Sequence, residues 1–173
     1  MRSAPQTRRV VPHGDPAAFR HVLSHVPTSV VVVTGVDADG ARAGMVIGSF
    51  TSISLTPQLV GFYPTHASTS WPAIRGAGRF VVNVLAQGQD GIARQFSRKG
   101  GDKFDGVETH PAPHSGAPIL REGIVAWIDC ELDREIELGD HFLAVGRVLD
   151  LDVVSGDDHP MVFSRGTYPL LGG

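Results

Sequence analysis

The spacing of apolar and polar positions opens with a helical signal. Phe19, Val22, Leu23 and Val26 recur at i, i+3, i+4 and i+7, Asp15 can cap the segment and Pro16 suits its first turn. Pro27 is expected to end it. His21 and His25 lie opposite this stripe, four residues apart with no Glu between them, and read as a solvated face rather than a metal site. The pattern then changes to that of strands. Residues 29–36 are β-branched and apolar, Asp37, Ala38, Asp39 and Gly40 form a turn, and residues 42–47 follow, which predicts a hairpin. Residues 50–55 and 59–63 are two more strands about Thr56-Pro57-Gln58. Ser68 is expected to cap a short helix through Trp71, Ala73 and Ile74 that stops at Gly76 and Gly78. A strand over 80–85, one or two helical turns over 89–96 and a polar loop over 97–102 come next.

Residues 108–117, with Pro111 and Pro113 inside and Pro118 beyond, have no periodicity and read as a connection across the surface. Then Ile124, Ala126, Ile128, Cys130 and Leu132 alternate with Trp127, Asp129, Glu131 and Asp133, the period of a strand with one buried face. Gly139-Asp140 turns it into a partner strand over 142–153, and residues 160–164 form a short last one. Strands outnumber helices and short turns join them, so the expected fold is mainly β and antiparallel, closed or nearly closed into a barrel that hides its edges.

Composition narrows the function. A chain of 173 residues and 18.4 kDa predicts one domain over residues 15–173, preceded by a flexible segment over 1–14. A formal charge of −3 and a pI near 6.2 argue against nucleic-acid or anionic-membrane binding. Cys130, the single cysteine, excludes an internal disulfide framework and a multi-thiolate metal site, and with no signal-like or membrane-length apolar run the expected location is cytoplasmic. Nucleotide-fold, Walker-type and nucleophile-elbow motifs are absent, and Pro111 and Pro113 forbid the helix that would aim His110 and His114 at one ion. What remains is a hydroxyl-rich centre: Ser49, Thr51, Ser52 and Ser54, then Thr65, Ser68, Thr69 and Ser70, interleaved with Gly44, Gly48 and Gly61. Such residues either alternate on the wet face of strands or form an anion and ring site, in which bare backbone and a helix start grip a ligand without much net charge.

The same stretch carries a family likeness. Gly44-Met45-Val46-Ile47-Gly48-Ser49-Phe50-Thr51-Ser52-Ile53-Ser54-Leu55 resembles the "GMTVNSFTSVSL" signature of the flavin reductase family, small reductase components of two-component flavin-dependent monooxygenases. Ser68-Thr69-Ser70-Trp71-Pro72-Ala73-Ile74, Gly78-Arg79-Phe80-Val81-Val82-Asn83-Val84-Leu85, and Phe96 with Asp102-Lys103-Phe104 keep the family's order. Gly139-Asp140-His141, Gly146-Arg147-Val148 and Phe163-Ser164-Arg165-Gly166-Thr167-Tyr168 resemble its C-terminal motifs.

The resemblance implies an FMN-binding split β-barrel, antiparallel and of Greek-key type with a few short flanking helices, acting as a homodimer that moves hydride from NADH or NADPH to FMN or FAD. Carried over by position, flavin would contact Ala43, Gly44, Met45, Val46, Gly48, Ser49, Tyr63, Pro64, Thr65, Thr69, Ser70, Asn83, Val84, Leu85, Phe96 and Ser97. The nicotinamide cofactor would meet His141, the one titratable group assigned to catalysis, and Ser164, Arg165, Gly166 and Thr167. Four positions depart from the family pattern, Gly48 from Asn or Gln, Val46 from Thr, Ser29 from Gly and Pro27 from Ala, and the first two keep a rival reading alive: a flavin-holding carrier or sensor without NAD(P)H turnover. A purely structural interaction module is a third class, which predicts no flavin binding. Hydride transfer needs positioning rather than a nucleophile or a metal, which accords with the missing triad.

Overall fold

The computed structural model describes residues 14–171. The expected N-terminal segment falls almost wholly on residues 1–13, outside that range. Asp15 accepts the Ala17 N–H at 2.9 Å and Pro16 opens α1 (Pro16–Leu23). The helix stops at Ser24 rather than at Pro27: Ser24 Oγ and His25 Nδ1 both engage the His21 carbonyl and close the last turn.

After β1 (Thr28–Ser29), the apolar run becomes β2 (Val31–Val36), which turns on Asp37 into β3 (Arg42–Ile47). Asp37 Oδ1 accepts the N–H groups of Asp39 and Ala41, so the carboxylate itself shapes the hairpin. β4 (Thr51–Leu55) and β5 (Gln58–Phe62) form the second hairpin. Then α2 (Trp71–Ala77) ends at Gly78, whose φ of +68° is the left-handed cap a glycine supplies, and leads into β6 (Arg79–Leu85). α3 (Asp90–Ser97) and two short strands, β7 (Thr109–Pro111) and β8 (Pro118–Leu120), precede the long pair β9 (Ile124–Leu138) and β10 (His141–Val153). β11 (Val162–Phe163) pairs with β1.

Seven strands form one antiparallel sheet in the order β3-β2-β6-β9-β10-β5-β4. The mainly antiparallel β fold is therefore as expected. Its two edge strands, β3 and β4, are neighbours in sequence, joined by Gly48-Ser49-Phe50. Buried side chains from six of the seven strands meet with α2 around Phe62, Trp71 and Phe80, which requires the sheet to curl onto itself. A second cluster lies on the other face of β2 and β6, where Val32, Val81 and Leu85 meet Phe96, Phe104 and the β7–β8 hairpin. Burial on both faces explains why β2 and β6 read as unbroken apolar runs rather than alternating ones.

Two expectations are adjusted. Residues 108–117 run over the surface as expected but are not irregular throughout: the β7–β8 hairpin begins within them, and Ala112 and Ala117 turn inward beside Ile119 and Leu120. Its prolines suppress a readable period without preventing pairing at a short edge. Asp129, on the nominally polar face of β9, is fully buried, because its Oδ2 accepts the His114 and Ser115 N–H groups at 2.9 and 3.1 Å and anchors that hairpin's loop. The apolar stripe of α1 is largely uncovered among the described residues: Phe19 is 66% exposed and Val22 56%.

Candidate functional site

The β3 strand, the 63–70 segment before α2 and the end of α3 converge on a cavity of about 390 Å3. Local chemistry fixes each wall. Ser49 Oγ accepts the Tyr63 N–H at 3.0 Å and holds the β3–β4 corner against the end of β5. Ser68 Oγ accepts the Trp71 N–H at 3.1 Å, as the expected cap, although the helix itself begins at Trp71. At Gly44 an added Cβ would lie 2.5 Å from the Phe96 ring, so the strand's bare backbone is what lets Phe96 and Phe104 stack edge-on beneath the site.

Lys103 joins these walls. Its Nζ donates to Gly44 O and Ser70 Oγ at 3.0 Å and to Phe96 O at 3.1 Å, using all three N–H donors to tie β3, the start of α2 and α3 together. Burial holds its pKa below the ordinary lysine value. Arg98, Lys99 and Lys103 line the cavity with hydroxyls of Ser49, Thr65, Thr69 and Ser97, and no carboxylate is among the lining side chains. A protein of net negative charge thus presents a local electropositive, hydroxyl-rich site.

Ten of the expected residues line this cavity: Met45, Val46, Gly48, Ser49, Tyr63, Thr65, Thr69, Ser70, Phe96 and Ser97. Ala43 and Gly44 line an adjoining cavity that shares Thr69, Ser70 and Lys103. Pro64 lines neither; its carbonyl accepts the Phe142 N–H at 2.9 Å. Asn83, Val84 and Leu85 line neither cavity. The Asn83 amide bonds Val32 O, Thr34 Oγ1 and the Leu120 N–H within the core, and both backbone groups of Leu85 are held by Val30 and Met161.

His141 also stands outside the lining, yet its backbone forms a bridge with Thr65, which is in it. His141 Nδ1 lies 2.7 Å from Asp140 Oδ1, and this hydrogen bond is the main reason the Asp140 carboxyl is held below its ordinary range. The pair lines a separate cavity of about 700 Å3 with Phe19, Val22 and Leu23 of α1. The turn at 164–167, closed by bonds between Ser164 and Thr167, meets the same helix from its other end: the Arg165 N–H donates to Ser24 O at 2.8 Å. Arg165 has φ +52°, a left-handed conformation that a non-glycine residue adopts at a cost.

Comparison with known proteins now decides the family. Residues 23–172 match the flavin reductase like domain. The chain belongs to the flavin reductase family. It is 49% identical to a flavin reductase of Pseudomonas putida over 154 residues, 89% of either chain. It is 42% identical to the reductase subunit HsaB of a flavin-dependent monooxygenase from Rhodococcus jostii, covering 89% of this chain and 77% of that one. Among solved structures, the Streptomyces globisporus NADH:FAD oxidoreductase SgcE6 superposes with a TM-score of 0.88 at 32% identity, over 99% of this chain and 95% of that one. What sequence reasoning missed in this flavin reductase is the cationic wall of Arg98, Lys99 and Lys103. The signal was present: the chain has only two lysines, and both line this cavity.

Proposed function

We propose that the chain is an NAD(P)H-dependent flavin reductase that passes hydride from a nicotinamide nucleotide to FMN or FAD and supplies reduced flavin to a partner monooxygenase. The observation that carries this is the cavity, where the Met45–Ser49 backbone, hydroxyls and three cations converge without a carboxylate. Those residues fit a flat ring joined to a phosphate: bare β3 backbone for the ring, and the Thr65 and Thr69 hydroxyls for the anion in the positive field of Lys103. A bound flavin supplies the hydride acceptor, and the chain supplies position and electrostatics. Lys103 keeps positive charge at the wall while its three bonds hold the walls in register.

In this reading His141 serves the nicotinamide. Donation from Nδ1 to Asp140 fixes the tautomer and leaves Nε2 to engage a carboxamide. α1 runs between His141 and the 164–167 turn, which supports a nicotinamide site along that helix. The sheet open between β3 and β4 supports reading the fold as a split barrel. The unpartnered α1 stripe supports a homodimer in which a second copy covers it. No helix among the described residues is long and apolar enough to cross a membrane, and with one buried cysteine this supports the cytoplasmic reading.

The test is NADH loss with and without FMN or FAD. Flavin-dependent oxidation is expected, and His141→Ala should raise the nicotinamide KM about tenfold while moving flavin Kd less than twofold. Flavin binding without NADH loss would favour the carrier or sensor reading.

A further inference from the structure

One wall of the proposed flavin cavity is the turn at 65–68, closed by the Ser68 N–H donating to Thr65 O at 3.0 Å. Thr65 and Ala67 line the cavity, whereas His66 between them does not and lays its ring on β10 instead. Three backbone contacts dock this wall on the start of β10. The Phe142 N–H donates to Pro64 O at 2.9 Å, the His66 N–H donates to Asp140 O at 3.0 Å, and Thr65 bridges His141. The His66 side chain adds a fourth contact: its ring and that of Phe142 have centroids 4.2 Å apart and a tilt of 40°. Its Nε2 stands 3.8 Å from Oε1 of Glu137, the cross-strand partner of Phe142. That separation is too long for a hydrogen bond, so a neutral imidazole gains little there, whereas an imidazolium gains a carboxylate and an aromatic face together.

The other charges around this ring favour its cationic form on balance. The Asp140 carboxyl is held below its ordinary range mainly by the His141 hydrogen bond and in smaller part by the charge of His66. Arg75, whose Cζ lies 6.0 Å from the Phe142 centroid, is paired with Glu135 at 3.0 Å. We propose that His66 is a positioning residue for the flavin phosphate, which in its protonated form braces the Thr65 wall against β9 and β10. The proposal rests on the flavin reductase reading above. Histidine is the side chain whose charge ordinarily changes between about pH 5 and 8, so the brace tightens on the acid side of neutrality. It acts through Thr65, whose hydroxyl meets the anion in that reading, and has no contact of its own with the cavity.

The experiment is fluorescence titration of the full chain with FMN and with riboflavin at about pH 6 and about pH 8, for wild type, His66→Phe and His66→Arg. Phe keeps the stacked ring without the charge, and Arg keeps a charge and a flat face at both pH values. The FMN phosphate and His141 titrate in the same range, and comparing each variant with wild type at the same pH removes their common contribution. At the lower pH His66→Phe should bind FMN about threefold more weakly than wild type, and at the higher pH the two should agree within about 1.5-fold. His66→Arg should match wild type at the lower pH and bind FMN about threefold more tightly at the higher one. Riboflavin lacks the phosphate and should respond by about 1.5-fold or less throughout. No loss in His66→Phe, a loss of the same size at both pH values, or an equal effect on riboflavin would each overturn the proposal, while wild-type FMN binding and NADH oxidation keep the reductase reading intact. Absence of both in the wild type would overturn that reading, and this proposal with it.

Discussion

Two regions of the molecule are rich in polar side chains, and they differ in where their hydrogen bonds end. Between β2, β6 and β8, Asn83 donates to Val32 O at 3.1 Å and Thr34 Oγ1 at 3.2 Å and accepts the Leu120 N–H at 2.9 Å, while Thr34 donates to Pro118 O. Every direction these groups offer closes inside the chain, and both residues are fully buried. In the cavity, Thr65 and Thr69 hydroxyls have no side-chain hydrogen bond among the described residues and stand beside cations. Residue type is nearly the same in the two places. The difference lies in satisfaction: a polar group whose bonds close internally specifies the fold, and one with open valence at a cavity is free to meet a ligand.

The strongest way to break this contrast is to exchange the expected effects. Asn83→Ala leaves the buried Leu120 N–H without its partner and removes two donations, and should cost about 3 kcal/mol of stability by urea unfolding. The folded fraction should keep its flavin Kd. A loss of flavin affinity at unchanged stability would place Asn83 in the site after all. Lys103→Met should weaken FMN roughly hundredfold and cost stability as well, since the positive charge at the wall and the charge-assisted bonds that tie three elements vanish together. Lys103→Arg should recover part of the loss, because charge survives although the geometry of three separate acceptors does not suit a planar fork.

How far the sequence reached follows the same line. Strands, both early hairpins, the Asp37 turn and the Ser68 cap were legible, because each depends on residues within a few positions of one another. The hydroxyl-rich centre was legible too, and the structure gathers most of it. Lys103 was not, since its meaning comes from folding back onto Gly44, 59 residues earlier. The burial of Asn83 was not legible, because its motif neighbours say nothing about which face of a doubly covered strand it occupies. The stripe of α1 shows the converse limit. Periodicity reveals an apolar face but not what covers it, and among the described residues it is left largely exposed.

The smallest expected effect is a pH dependence, and its sign follows from burial. Desolvation disfavours the charged form of Lys103 and lowers its pKa, so as pH rises the ammonium loses its proton earlier than an exposed lysine would. A neutral amine keeps only two N–H donors for three acceptors and removes the charge from the wall. FMN affinity should therefore decline a few-fold on the alkaline side, beginning below the ordinary lysine value of about 10.4. Riboflavin has the same ring without the phosphate and should show a smaller decline. In Lys103→Arg the guanidinium stays charged throughout, so its FMN profile should follow that of riboflavin. A parallel fall of FMN affinity in wild type and Lys103→Arg would mean that charge at this wall does not hold the phosphate, and the cavity would then differ from the Asn83 core in accessibility alone.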